Sequence, residues 1–285
     1  MVLRGVTVIR QGETARSEID LLVRPTVSLP HPPLWRESRM GLEAASLIRS
    51  RVWRGEGVTD GRGQPVLLIP GFLAGDGSLS MLTHWLRRSG YHTRKAGIRV
   101  NVDCSGRSLD RLEGSLEGLV ERQGRRAVIV GQSRGGSFAK VLAQTRPDLV
   151  SGIVSLGTPQ LDPLAVHPLV RLQIEAVALG GSLRIPHLFS RACIDGGCCQ
   201  HFWDHFAAPL DPSIGFLSIY SKTDGIVDWR ACLDPSAEHL EISSSHCGMG
   251  MNPGAYRGIA EALGRFGRQG GRARRQRPAR LRAVA

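Results

Sequence analysis

The sequence predicts an α/β domain with a mostly parallel central sheet flanked by helices, and three observations carry that expectation. Short, wholly apolar runs such as Val66-Leu67-Leu68-Ile69 and Ala127-Val128-Ile129-Val130 have the character of strands buried on both faces. Amphipathic stretches of helical period separate them, and strands alternating with helices imply parallel pairing with both faces covered. The chain has 285 residues and 41% hydrophobic content, which suits one such domain with additions and excludes a wholly disordered polypeptide.

Residues 1–60 read as an N-terminal extension that passes through the proline-rich Leu29-Pro30-His31-Pro32-Pro33. A helix is expected at 34–53, because Met40, Ala44, Ile48 and Val52 fall four apart. The α/β domain then spans 61–267. After the strand at 66–69, Leu79, Leu82, Trp85 and Leu86 mark a helix that stops at Gly90. A weaker strand at 92–96 leads to a helix with Leu109, Leu112, Leu116 and Leu119 on one face, ended by Gly124. The strand at 127–130, a helix at about 135–146 and a strand at 152–156 complete the next unit. The alternation breaks over 158–212, where prolines, aromatics and three cysteines occur without a strand pattern, so this stretch reads as an insertion. Strands at 216–220 and 239–242 follow, then a last helix with Asn252 as its cap and Pro253 in its first turn.

The net charge of +12 would suggest a nucleic-acid partner if it were spread over one face. Eight arginines and no acids follow Gly264, which leaves +4 for the rest of the chain. Residues 268–285 are therefore expected to be a disordered, Arg-rich tail, and no specific nucleic-acid partner is expected. A non-enzymatic polyanion binder acting through this tail is the alternative from another class. No apolar run approaches the roughly 18 residues of a membrane span, and the first 22 residues lack the apolar core of a secretory signal. The expectation is a cytoplasmic protein.

The sharpest chemical signal is Gly131-Gln132-Ser133-Arg134-Gly135-Gly136, directly after one strand and directly before a helix. A serine between glycines at this point fits a strained turn that lifts its hydroxyl clear of the sheet. Serine is a poor nucleophile until a histidine takes its proton and an acid orients that histidine. Asp224 follows the strand at 216–220, and His246 follows the strand at 239–242, at the edge where Ser133 lies. Asp228 is the rival acid, with helix capping as its alternative role. Donors for an oxyanion are expected from the backbone N–H groups of Arg134 and Phe72, the latter in Pro70-Gly71-Phe72 after the first strand.

Over residues 64–266 these motifs, together with Ser155-Leu156-Gly157-Thr158-Pro159, resemble an α/β-hydrolase of the lipase and esterase kind. The resemblance implies a Ser133, Asp224, His246 triad that needs no metal or organic cofactor and acts on a small-molecule or lipid-like ester. It also implies that 158–212 form a cap or lid over the acyl site. Acyl transfer or thioester hydrolysis could run on the same triad. Pro70 stands where many members carry histidine before the oxyanion glycine.

Within the insertion, Phe202, Trp203 and Phe206 are candidates both for cap core and for contacts to an acyl chain, and Phe72, besides its donor role, is a candidate for the wall that contacts substrate. Cys193, Cys198 and Cys199 precede His201 and His205, a set that could hold zinc, although disulfide or core thiols are the favoured reading. A bridge between Cys232 and Cys247 would clamp the acid and base loops together.

Overall fold

The computed structural model describes residues 33–275. Six parallel strands form one sheet in the order β2-β1-β3-β4-β5-β6. They are β1 (Pro65–Ile69), β2 (His92–Lys95), β3 (Ala127–Gln132), β4 (Val150–Leu156), β5 (Gly215–Tyr220) and β6 (Glu238–Glu241). β1, β3 and β4 are buried along their whole length; β1 and the start of β3 are apolar runs, whereas β4 also buries Ser151 and Ser155. The edge strands β2 and β6 carry charged residues and are largely exposed, which keeps the sheet from pairing further.

The helices are α1 (Met40–Arg49), α2 (Ser80–Arg88), α3 (Ser105–Gln123), α4 (Arg134–Thr145), α5 (Pro168–Ser182), α6 (Arg191–Ile194), α7 (Gln200–Ala207) and α8 (Pro253–Arg275). On one face of the sheet, Leu112 and Leu116 of α3 and Phe138 and Leu142 of α4 pack with Leu67 and Ile129. On the other, Leu82, Trp85 and Leu86 of α2 and Ile259, Leu263 and Phe266 of α8 pack with Val66, Val128 and Val154. Gly124, left-handed at φ 61°, ends α3 by donating its N–H to Val120. The Asn252 side chain caps α8 by accepting from the amides of Gly254 and Ala255.

The chain leaves β1 for β2 at one edge and returns through α3 to β3 on the far side of β1. The carboxyl ends of β1 and β3 are therefore neighbours at the point where the strand order reverses, where open α/β sheets place their ligands.

Two expectations change at the ends of the described region. The segment at 34–53 is not one helix but a 3-10 turn, Leu34–Arg39, running into the shorter α1. Its buried face is not the Met40, Ala44, Ile48 stripe: Met40 and Ile48 are exposed, while Glu43 and Leu47 are buried. A carboxylate takes a buried place there because it has backbone and hydroxyl partners described below. At the other end, α8 runs on to Arg275, so the first part of the expected disordered tail is helical. The remainder of the tail, 276–285, and residues 1–32 of the extension lie outside the described residues. The insertion between β4 and β5 holds α5, α6 and α7. Among the described residues no helix is long and apolar enough to cross a membrane.

Candidate active site

Ser133 stands at the junction of β3 and α4 with φ 50° and ψ −125°, a conformation that a residue with a Cβ adopts only under constraint. The constraint comes from the glycines around it. A Cβ on Gly131 would lie 2.3 Å from the Gly135 carbonyl oxygen, and one on Gly135 would lie 2.2 Å from that of Ile69. The turn is tied down further: the Ser133 amide donates to Leu156, and Thr158 Oγ1 donates to the Ser133 carbonyl at 2.9 Å.

Asp224 and His246, brought from β5 and β6, meet with Nδ1 to Oδ2 at 2.6 Å. The other carboxylate oxygen of Asp224 accepts from the amides of Ile226 and Val227, both at 2.8 Å, which fixes its rotamer. With Nδ1 facing the carboxylate, Nε2 is the ring nitrogen left to exchange a proton. Burial favours the neutral imidazole, but the Asp224 carboxylate, its hydrogen bond and Glu37 outweigh it and hold His246 above its ordinary value. Gly157, at φ 56°, lets the ring lie close: a Cβ there would stand 3.0 Å from Nδ1. Asp228 does not reach the histidine; it caps a 3-10 turn through the Arg230 amide at 3.0 Å.

Ser133 and His246 line one cavity of about 910 Å³, whose wall also includes Gly71, Phe72 and Arg134. Phe72 packs near Phe189 of the insertion, with ring centroids 6.0 Å apart. Phe202 and Trp203 line the cavity with Ile174 and Leu164. Phe206 does not. It lies one helical turn beyond Phe202, buried against it and beside Lys140, and Lys140 is itself paired with Asp234 at 2.6 Å in the interior.

Several residues of the site left no local mark in the sequence. Glu37, from the 3-10 turn before α1, accepts from the amides of Gly225, His246 and Cys247 at 3.0, 2.9 and 2.9 Å. Glu43 of α1 accepts from Ser245 through both its amide and its hydroxyl at 2.8 Å. Glu37 joins the acid loop to the histidine loop, the task that a Cys232–Cys247 bridge would have had, and Glu43 ties the histidine loop to α1. That bridge is absent: both cysteines are free thiols, with Cys232 buried and Cys247 exposed. Gln132 adds a third tie, its side-chain amide donating to the His246 carbonyl at 3.0 Å.

The sequence points to the backbone amide of Arg134, yet its side chain is the busier group. Its guanidinium donates to the carbonyls of Asn101 and Asp103 and to Ser105 Oγ, and lies over the rings of Phe138 and Phe189. Asn101 in turn donates to the Pro70 carbonyl at 2.8 Å, so the Gly71-Phe72 loop is braced from the elbow. Burial pulls the Arg134 guanidinium down to about 10.

No family model matches the chain. A mature-form lipase of Bacillus licheniformis superposes with a TM-score of 0.53 at 14% identity, covering 73% of this chain and 94% of that one. A soluble variant of monoglyceride lipase from Saccharomyces cerevisiae, in complex with a substrate analogue, gives 0.51 at 14% identity over 74% and 90% of the two chains. The chain has the α/β-hydrolase fold. In sequence, a triacylglycerol lipase of Vibrio cholerae is 30% identical over 130 residues, which amounts to 41% of this chain and 41% of that protein. The chain thus spans well under half the length of that curated relative.

Proposed function

We propose that this α/β-hydrolase cleaves carboxylic esters with an apolar acyl chain through an acyl-enzyme on Ser133. The observation that carries the reading is the Asp224–His246 bond of 2.6 Å on the cavity that Ser133 lines from its strained turn. Asp224 and His246 meet from two different strand ends, and Ser133, from a third, lines the same cavity as His246.

In the proposed reaction the Ser133 Oγ attacks the ester carbonyl while His246 Nε2 takes its proton. The carbonyl π electrons move to oxygen, and the amides of Phe72 and Arg134 stabilise the oxyanion. As the carbonyl reforms, His246 returns the proton to the departing alcohol. Water, deprotonated by the same imidazole, then attacks the acyl-enzyme and releases the acid. Asp224 holds the ring tautomer and stabilises the imidazolium at each stage. The apolar wall of Leu164, Ile174, Phe202 and Trp203, in a cavity of about 910 Å³, suits an acyl chain rather than a compact acetyl group. The likeness to lipases and a monoglyceride lipase supports lipid-like esters as the substrate class.

A series of p-nitrophenyl esters of increasing chain length tests the reading together with Ser133→Ala. Turnover should rise with chain length, and the variant should fold yet lose at least about a thousandfold in kcat. A serine-directed phosphonate should add to the peptide carrying Ser133. Hydrolysis undiminished in the variant, or label on another residue, would refute the assignment.

A further inference from the structure

Four cysteines meet where the inserted helices touch the core. Cys104 caps α3 in the core domain, whereas Cys193, Cys198 and Cys199 lie on α6 and just before α7. All four sulfurs fall within 4.8 Å of one another. The Cys193–Cys198, Cys104–Cys199 and Cys198–Cys199 separations are 3.1, 3.5 and 3.7 Å. We propose that Cys104, Cys193, Cys198 and Cys199 form a tetrathiolate site for one zinc ion, which pins the insertion to the hydrolase core.

The geometry supports a metal over plain packing. Four thiolates at about 2.3 Å from a tetrahedral zinc stand about 3.8 Å apart along each edge, close to the separations found. Two disulfides would need sulfurs only in pairs, at about 2.05 Å, and would not require all four to converge. The two histidines suggested by the sequence take no part. His201, exposed, and His205, half-buried, stack on each other at 4.2 Å, and the fourth ligand comes instead from Cys104, far back along the chain.

The surroundings are those a doubly negative metal–thiolate centre needs. Cys104 stands at the N-terminus of the 19-residue α3, where the helix dipole favours a thiolate. Arg134 lies close enough to Cys104, Cys193 and Cys199 to feel their charge, and Arg107 to feel Cys104 and Cys193. Three of the four thiols are buried, where an uncompensated thiolate would be costly. Zinc binding forms four Zn–S bonds and releases the four thiol protons to solvent, so occupancy should be lost as the pH is lowered. The site adjoins the cavity: Cys193 lines it, and Trp203 Nε1 donates to the Cys193 carbonyl at 2.8 Å.

The test is metal analysis of the full chain purified under reducing conditions, with cobalt(II) exchanged for zinc as a spectroscopic probe. One zinc per chain is expected, and cobalt should give intense sulfur-to-metal charge transfer with tetrahedral visible bands. Cys104→Ser and Cys198→Ser, one from each side of the contact, should each lose the metal. If a variant fails to fold, alkylation of the wild-type chain decides: zinc should protect the exposed Cys198, and a chelator should unmask it. No retained metal and no cobalt bands would overturn the proposal. So would an intact mass four hydrogens light with two disulfides mapped among these cysteines, or a bound metal indifferent to both substitutions.

Discussion

The turn that carries Ser133 and the loop that carries His246 sit at the same edge of one sheet, and they are held in opposite ways. The serine turn is rigid from within: Gly131, Gly135 and Gly136 leave no space for any side chain, so the backbone itself forces φ 50° at Ser133. The histidine loop has no such internal jam. Its amides at Ser245, His246 and Cys247 point to carboxylates of Glu43 and Glu37, roughly 200 residues earlier in the chain. One loop owes its shape to steric exclusion, the other to borrowed charge. Steric exclusion is insensitive to pH and salt, whereas charge-assisted bonds can be weakened one group at a time.

The comparison can be broken at its rigid end with Gly131→Ala. The new Cβ would meet Gly135 backbone that cannot turn aside, so we expect the largest effect here. Stability should fall by about 3 kcal/mol, read from denaturant midpoints, and phosphonate labelling of Ser133 should disappear. A variant as stable and reactive as the wild type would show that the turn has slack after all.

A smaller effect, different in kind, is expected from Glu37→Ala. Three backbone amides lose a charged acceptor worth about 1.5–3 kcal/mol per bond, and water recovers part of it. The expected result is a 10- to 100-fold drop (about 1.4–2.8 kcal/mol) in kcat/KM on a chain that still folds. The pH profile sharpens the test. In the proposed reaction His246 must be neutral to take the serine proton, and Glu37 is one of the charges that hold its pKa up. Without Glu37 that pKa falls, and the acid limb of the kcat/KM profile should shift to lower pH. An unmoved limb would mean that the carboxylate serves structure alone.

The mildest change should come from Asp228→Asn. Asp228 caps a 3-10 turn through the Arg230 amide, a role asparagine fills equally well, and it makes no bond to His246. Activity should stay within about twofold of wild type. A loss comparable to that of Asp224→Asn would transfer the acid role to Asp228.

The residues alone were enough to read what depends on neighbours in the chain. Apolar runs specified the central strands β1 and β3, leucine spacing specified α3, and Gly-x-Ser-x-Gly between a strand and a helix specified the turn at Ser133, because each is a short-range consequence of backbone sterics and periodicity. The order of Asp224 and His246 after successive strands was equally legible, since parallel strands deliver their carboxyl ends to one edge. Tertiary structure decided what depends on distant partners. Nothing within residues 34–53 announces that Glu43 is buried against Ser245, and the four-apart apolar stripe pointed to the wrong face of α1. Nothing near Cys104 announces the three cysteines that meet it across the insertion. Hydrogen bonds from carboxylates and convergence of sulfurs are set by through-space geometry that the fold creates, and a sequence records such partners without recording that they meet.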